Sequence, residues 1–278
     1  MPAERIAENL AYINWTVLAG LATGTLVAVV LGRLRTDATR GYLAFTAFCA
    51  FLAGLAALAS DGGLPLPTAA SPFVADTAWA AARGWALTAF CVLAFLETVA
   101  LARRRRAPVL GGLAVAAAAA VLLLGALSWG GSPLGIGLLL LQLVTVAGAT
   151  GGVLAAMILG HWYLVTPKLP EAPLVLFARA LMAVIAAQVV LFVVFTGIGA
   201  GPSGTPGFGA LTGSWALFVW LRLIVGLVFP LVVSWAAVQT ARSRSMESAT
   251  GLLYINVGTI AAGTILAAGL YFGAGLLI

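Results

Sequence analysis

Long apolar runs, broken by short polar stretches, recur from one end of this chain to the other. Eight of them, at 12–33, 42–60, 77–101, 108–128, 135–161, 173–199, 213–240 and 248–277, are predicted as membrane spans. About 20 apolar residues suffice to cross some 30 Å of hydrocarbon. Backbone groups in lipid must find partners within the protein, so a span is either a helix or a barrel strand. A barrel strand would alternate apolar and polar positions over about ten residues. These runs do not alternate. The pattern therefore predicts an all-α integral membrane protein with eight transmembrane helices.

The polar breaks alternate in character. Those after the first, third, fifth and seventh spans carry Arg33, Arg35 and Arg40, then Arg103 to Arg106, then Lys168, then Arg242 and Arg244, ten of the fourteen basic residues. The breaks at 61–76, 129–134 and 200–212 carry none. Basic loops stay on the cytoplasmic side, so both termini are expected outside (N-out/C-out), in the cytoplasmic (inner) membrane. The outer breaks, rich in Gly and Pro, read as turns. Trp15, Trp79, Trp85, Trp129, Trp215 and Trp220 fall near the outer boundary, and Trp162 and Trp235 near the inner one, as interfacial belts would place them.

Composition narrows the functional classes. Of 278 residues, 63% are hydrophobic and 8% charged, against about a quarter charged in soluble domains. The net charge of +6 does not point to nucleic acid, because the basic residues sit where topology requires them. Cys49 and Cys91 lie inside predicted spans and suggest neither a disulfide framework nor a metal site. The first nine residues do not have the charged, apolar and cleavage regions of a signal peptide.

A weak internal repeat is present. At an offset of 128, Ala19, Gly20, Gly24, Leu26, Ala28, Leu31 and Gly32 meet Ala147, Gly148, Gly152, Leu154, Ala156, Leu159 and Gly160. At an offset of 139, Arg83, Phe90, Arg103 and Arg105 meet Arg222, Phe229, Arg242 and Arg244. Two pseudo-symmetric four-helix bundles are expected, 1–130 and 131–278. An even number of spans in each makes the repeat parallel, about an axis along the membrane normal.

Ionisable residues within spans mark candidate sites. Arg83 and Arg222 each precede an inner arginine by 20 residues, about 30 Å of helix. That depth suits either snorkelling to the outer headgroups or an inward-facing anion site. Toward the cytoplasmic side lie Glu97, Arg179, Tyr254 and Asn256, with His161, Trp162 and Tyr163 where the fifth span is expected to end, in a stretch closed by Pro167 and Pro170. Glu97 and Arg179 are expected to pair, since an unpaired charge at that depth is costly. A histidine, a tyrosine and a carboxylate beside an arginine suit a quinone head group and its protons. Asn14, Gln142 and Gln188 are expected to make interhelical hydrogen bonds, and Pro230 to kink the seventh span.

One histidine cannot supply both axial ligands of a haem, and no metal-ligand cluster or phosphate-binding loop is written in the sequence. The chain alone is therefore not expected to be catalytic, nor to hold haem or metal. No motif names a family. The layout of eight spans in two four-helix halves resembles that of quinone-interacting membrane subunits of polysulfide-reductase type. That resemblance implies a membrane subunit of a respiratory or other redox complex, with quinone or lipid bound near the cytoplasmic side and the redox centre on a partner subunit. The alternatives are a transporter of small molecules or lipids, with its site at the interface of the halves, and a structural scaffold subunit.

Overall fold

A computed structural model describes residues 1–68, 70–104, 108–166 and 169–278. Arg105, Arg106, Pro167 and Lys168, assigned above to the basic connections, lie outside these. A short helix α1 (Pro2–Glu8) precedes α2 (Leu10–Arg35), α3 (Arg40–Gly62), α4 (Ala80–Ala102), α5 (Pro108–Trp129), α6 (Pro133–Val165) and α7 (Ala172–Ile198). The next span is α8 (Ala216–Leu223), a π turn (Ile224–Val228) and α9 (Phe229–Arg242), and α10 (Met246–Ala274) is the last. Among the described residues, eight helical segments are long and apolar enough to cross a membrane, as in a multi-pass membrane protein.

The helices are apolar on both faces. In α7, Leu174, Phe177, Leu181, Ile185, Phe192 and Phe195 face the interior at helical spacing, while Val190, Val193, Val194 and Ile198 are exposed. A helix of a water-soluble domain would carry polar residues on that outer face. Threonines are tolerated because their hydroxyls bond within their own helix: Thr23, Thr46, Thr150 and Thr196 each donate to the carbonyl four residues earlier. Serine, proline and glycine set several ends. Ser132 accepts from the Gly135 N–H at 3.0 Å and Pro133 opens α6. Gly199 and Gly275 close α7 and α10 in the left-handed conformation.

Helices α2 and α6 form the centre. In each, 56% of the most apolar stretch is buried, against 33–39% in the other six spans. Their backbones touch. A Cβ added to Gly24 would stand 1.8 Å from the Ala147 carbonyl oxygen, and one added to Gly151 2.0 Å from the Thr25 nitrogen. Small residues permit this approach, and without a hydrophobic drive in lipid it is such packing that holds helices together. Helices α3, α5, α7 and α10 surround this pair, α4 packs on α3 and α5, and α9 on α7 and α10.

Cross-helix bonds define the two ends. At one, Tyr12 donates to the Pro65 carbonyl, Asp76 N–H to the Ser128 carbonyl, and Ser203 N–H to the Gly275 carbonyl. This loop end holds the Gly/Pro-rich connections and an aromatic cluster of Tyr12, Phe73, Trp129 and Phe272, with centroids 5.0–5.8 Å apart. At the basic end, Arg40 donates to the Arg104 carbonyl and Arg244 meets Glu171 at 2.9 Å.

Candidate functional site

The residues expected to share one pocket near the basic end do not come together: apart from His161 and Tyr254 they lie in separate surroundings. Helix α6 runs a turn past the expected end of the fifth span, so His161, Trp162 and Tyr163 are helical rather than in the turn. Their side chains diverge, as 100° steps around a helix require. His161 is exposed, and its Nδ1 stands 3.4 Å from Tyr254 Oη on α10, a residue 49% exposed. Trp162 lies half-buried, its ring against Gly41. Tyr163 is buried and donates to the Pro170 carbonyl, tying the end of α6 to the following connection.

Asn256 sits two positions beyond Tyr254 and so faces inward. It is fully buried and donates to the Pro230 carbonyl at 3.2 Å and to Ser234 Oγ at 2.8 Å. Its bonds serve the broken helix of the seventh span.

Glu97 does not pair with Arg179. Its partner is Arg33, with Nη1 2.5 Å from Oε1, beneath Gly111 of α5. Glu97 is fully buried, whereas the Arg33 side chain keeps 17% exposure and reaches the basic end. Arg179 is exposed because it falls one position off the inward stripe Leu174, Phe177, Ala178, Leu181, Ile185. Because α7 is apolar all round, packing against its neighbours, not the sequence pattern, selects that stripe.

Arg83 and Arg222 do not snorkel: they are 5% and 4% exposed. Arg83 is fully provided for. Its Nε lies 2.5 Å and Trp15 Nε1 lies 2.7 Å from Asp61 Oδ1, while Nη1 is 2.7 Å from Ser128 Oγ. The guanidinium also lies over the rings of Trp129 and Trp15, at 4.7 and 5.7 Å. Trp15 and Trp129, expected in the interfacial belt, are buried walls of this box, while Trp85 and Trp220 are exposed as a belt requires. Sequence reading missed Asp61 by assigning it to an outer turn. Its position where the second span ends, opposite the start of the third, was the available signal.

Arg222 is placed differently. Nη2 donates to Gln188 Oε1 at 2.8 Å and Nη1 to the Gly226 carbonyl at 3.4 Å, while Nε has no partner. Pro230 has no N–H to offer the Gly226 carbonyl four residues back, so the arginine caps a group the proline leaves free. Gly226 packs against Gly263 of α10, with a Cβ on either only 2.6 Å from the other's Cα. The expected kink is thus a π turn held by Arg222 on one side and Asn256 on the other. Gln188 also donates to the Thr145 carbonyl at 2.8 Å. Asn14 reaches Ser60 at 3.3 Å, and Gln142 the Ile278 oxygen at 3.3 Å, so all three amides bridge separate segments.

At the loop end a cavity of about 620 Å³ opens among Val74, Gly131, Leu138, Ala200, Tyr271 and Leu277. Beyond Leu277, Ile278 helps line a small chamber with Gln142, Thr145, Gln188 and Arg222. Among the described residues, no group of three or more His, Cys, Asp or Glu side chains could hold a metal ion.

Comparison of the chain with models of known protein families gave no match, and comparison with curated proteins gave no similar sequence.

Proposed function

We propose that this chain is an integral membrane subunit of a respiratory or other redox assembly that takes a quinone, or a lipid of similar head-group chemistry, from the bilayer at His161 and Tyr254. The observation that carries the reading is the 3.4 Å approach of these two exposed side chains across α6 and α10 at the basic end. An imidazole can accept or donate, a phenol can donate, and together they can hold a quinone carbonyl and move its protons. Glu97, Arg179, Tyr163 and Asn256 are left out of this smaller site. Electrons would come from a partner subunit, since the reading assigns no redox centre to this chain.

In this reading the basic end is cytoplasmic by the positive-inside rule, both termini are outside, the membrane is the cytoplasmic one, and residues 1–130 and 131–278 are two halves of a parallel repeat. Extraction of the protein with its native lipid tests it. Wild type is expected to carry bound quinone and His161→Ala to lose it. Wild type without quinone, or a variant that keeps it, refutes the reading.

A second reading, a transporter, draws support from the loop-end cavity and from the π turn, since such turns are frequent at functional sites. Flux into proteoliposomes that survives His161→Ala but fails with Gln188→Ala would favour it.

A further inference from the structure

The loop-end cavity of about 620 Å³ takes no part in the His161–Tyr254 site at the opposite end. Its size is that of a pocket for a small molecule. Its walls are Leu134 and Leu138 of α6, Ile198 of α7, Val74, Tyr271 and Leu277, with glycine turns between them. Among the described residues, no charged side chain lines it. Its two side-chain hydroxyls are already engaged: Ser132 Oγ accepts from the Gly135 N–H at 3.0 Å, and Tyr271 Oη donates to the Trp129 carbonyl at 2.6 Å. Water in such a space finds few partners. Backbone packing sets the turns. Gly201 has a φ of +101°, and a Cβ there would stand 2.4 Å from the Gly275 carbonyl oxygen.

The rim shows what fits. Leu134 and Ile198 are 71% and 53% exposed. Each heads an apolar outward stripe at helical spacing: Leu134, Leu141 and Val144 on α6, and Ile198, Val194 and Val190 on α7. In a membrane-spanning helix that is apolar all round, such a stripe faces hydrocarbon. Helices α6 and α7 pack side by side, so the cavity continues a lipid-facing surface. We propose that it takes a hydrocarbon chain of a membrane lipid whose head group carries no net charge. Filling the cavity removes its apolar walls from water, which is favourable in proportion to their area. The head group follows from the charges at this end. The connections 61–76, 129–134 and 200–212 hold no Arg or Lys and include Asp61 and Asp76. Arg5 of α1 does not line the cavity. An anionic head group would find no cation on its walls, and the basic end suits such lipids better. The proposal does not depend on the His161–Tyr254 reading.

The test places a trace of phosphatidylcholine, with a photoreactive diazirine on one acyl chain, in nanodiscs that carry the full chain. One set of discs is made of phosphatidylcholine and the other of phosphatidylglycerol. Labelling of 130–138, 198–202 and 271–277, which line the cavity, is divided by that of 92–96 of α4, where Val92, Phe95 and Leu96 are exposed and serve as the bulk-lipid reference. A resident chain should label the lining severalfold more than α4. The ratio should be higher in phosphatidylglycerol discs, where the bulk lipid competes poorly for the site. Val74→Trp, at a rim position 60% exposed, should fill the mouth and lower the ratio severalfold, whereas Val190→Trp, on the outer face of α7, should leave it unchanged. The wild-type ratios decide the matter even if Val74→Trp fails to fold. A lining labelled no more than α4, a ratio that does not rise in phosphatidylglycerol, or a ratio unmoved in folded Val74→Trp overturns the proposal.

Discussion

Replacing Asp61 by Asn removes one charge from the Arg83 box and almost no volume. In wild type the Asp61 carboxylate accepts from Arg83 Nε at 2.5 Å and from Trp15 Nε1 at 2.7 Å, with both charged side chains under 10% exposed. The variant can still accept from Arg83 Nε through its amide oxygen and Ser128 keeps its bond, but the guanidinium between the two indole rings loses its counter-charge. Breaking a buried pair from one side costs about 3–5 kcal/mol. For a chain of this size each kcal/mol moves the midpoint by roughly 2–4 °C, so a fall of roughly 6–20 °C is expected. Arg83→Gln in the Asp61→Asn background removes the stranded charge and should recover at least half of the loss. Thermal unfolding of the detergent-purified protein, read by tryptophan fluorescence, gives all four corners of the cycle. A single-variant cost below about 1 kcal/mol, or two substitutions that simply add, would refute the assignment of this box as a coupled buried ion pair.

Three further outcomes follow from the packing and the polar bonds. Gly24→Ala puts a methyl group against the Ala147 carbonyl of α6 and should cost about 1–3 kcal/mol or more by forcing the central helices apart, read as a lower unfolding midpoint. Asn256→Leu strips a donor from the Pro230 carbonyl and from Ser234 inside the bundle. It should cost about 1–3 kcal/mol in the same assay, whereas a neutral result would mean that the π turn does not need this support. Arg179→Leu, on the outer face of α7, should change stability by no more than about 0.5 kcal/mol, and a larger loss would restore the pairing with Glu97 that the structure replaces by Arg33.

The number of long apolar helices and their approximate limits were legible because hydrocarbon thickness and backbone bonding leave few choices. The fifth span runs from Pro133 to Val165 rather than 135–161 because Ser132 and Pro133 begin it early and nothing before Thr166 stops it. Facing was not legible in α7: it is apolar on both faces, and only packing separates the buried stripe from Leu174 to Phe195 from the exposed Arg179. Partner choice was no more legible. Glu97 could be seen to need a cation, yet selecting Arg33 over Arg179 depends on how α2, α4 and α5 converge beneath Gly111. Trp15 and Trp129 lay at belt depth, and only the position of Arg83 between them makes them a cation box. A proline announces a bend, but the π turn reflects where Arg222, Gly263 and Asn256 stand on neighbouring turns and on α10. The supposed pocket dissolved for a related reason. Residues at a common depth, such as Tyr254 and Asn256, point to different sides of one helix, the first outward to His161 and the second into the core.

His161 and Tyr254 are the proposed quinone contacts, and a photoreactive quinone in nanodiscs tests those residues directly. Labelling should map to the peptides around 158–166 of α6 and 250–258 of α10 and be competed by excess unlabelled quinone. Tyr254→Phe removes one hydrogen bond of about 0.5–1.5 kcal/mol and should weaken binding roughly 2- to 12-fold, and His161→Ala should abolish labelling at both peptides. Labelling confined to other helices, or undiminished by His161→Ala, would contradict the site.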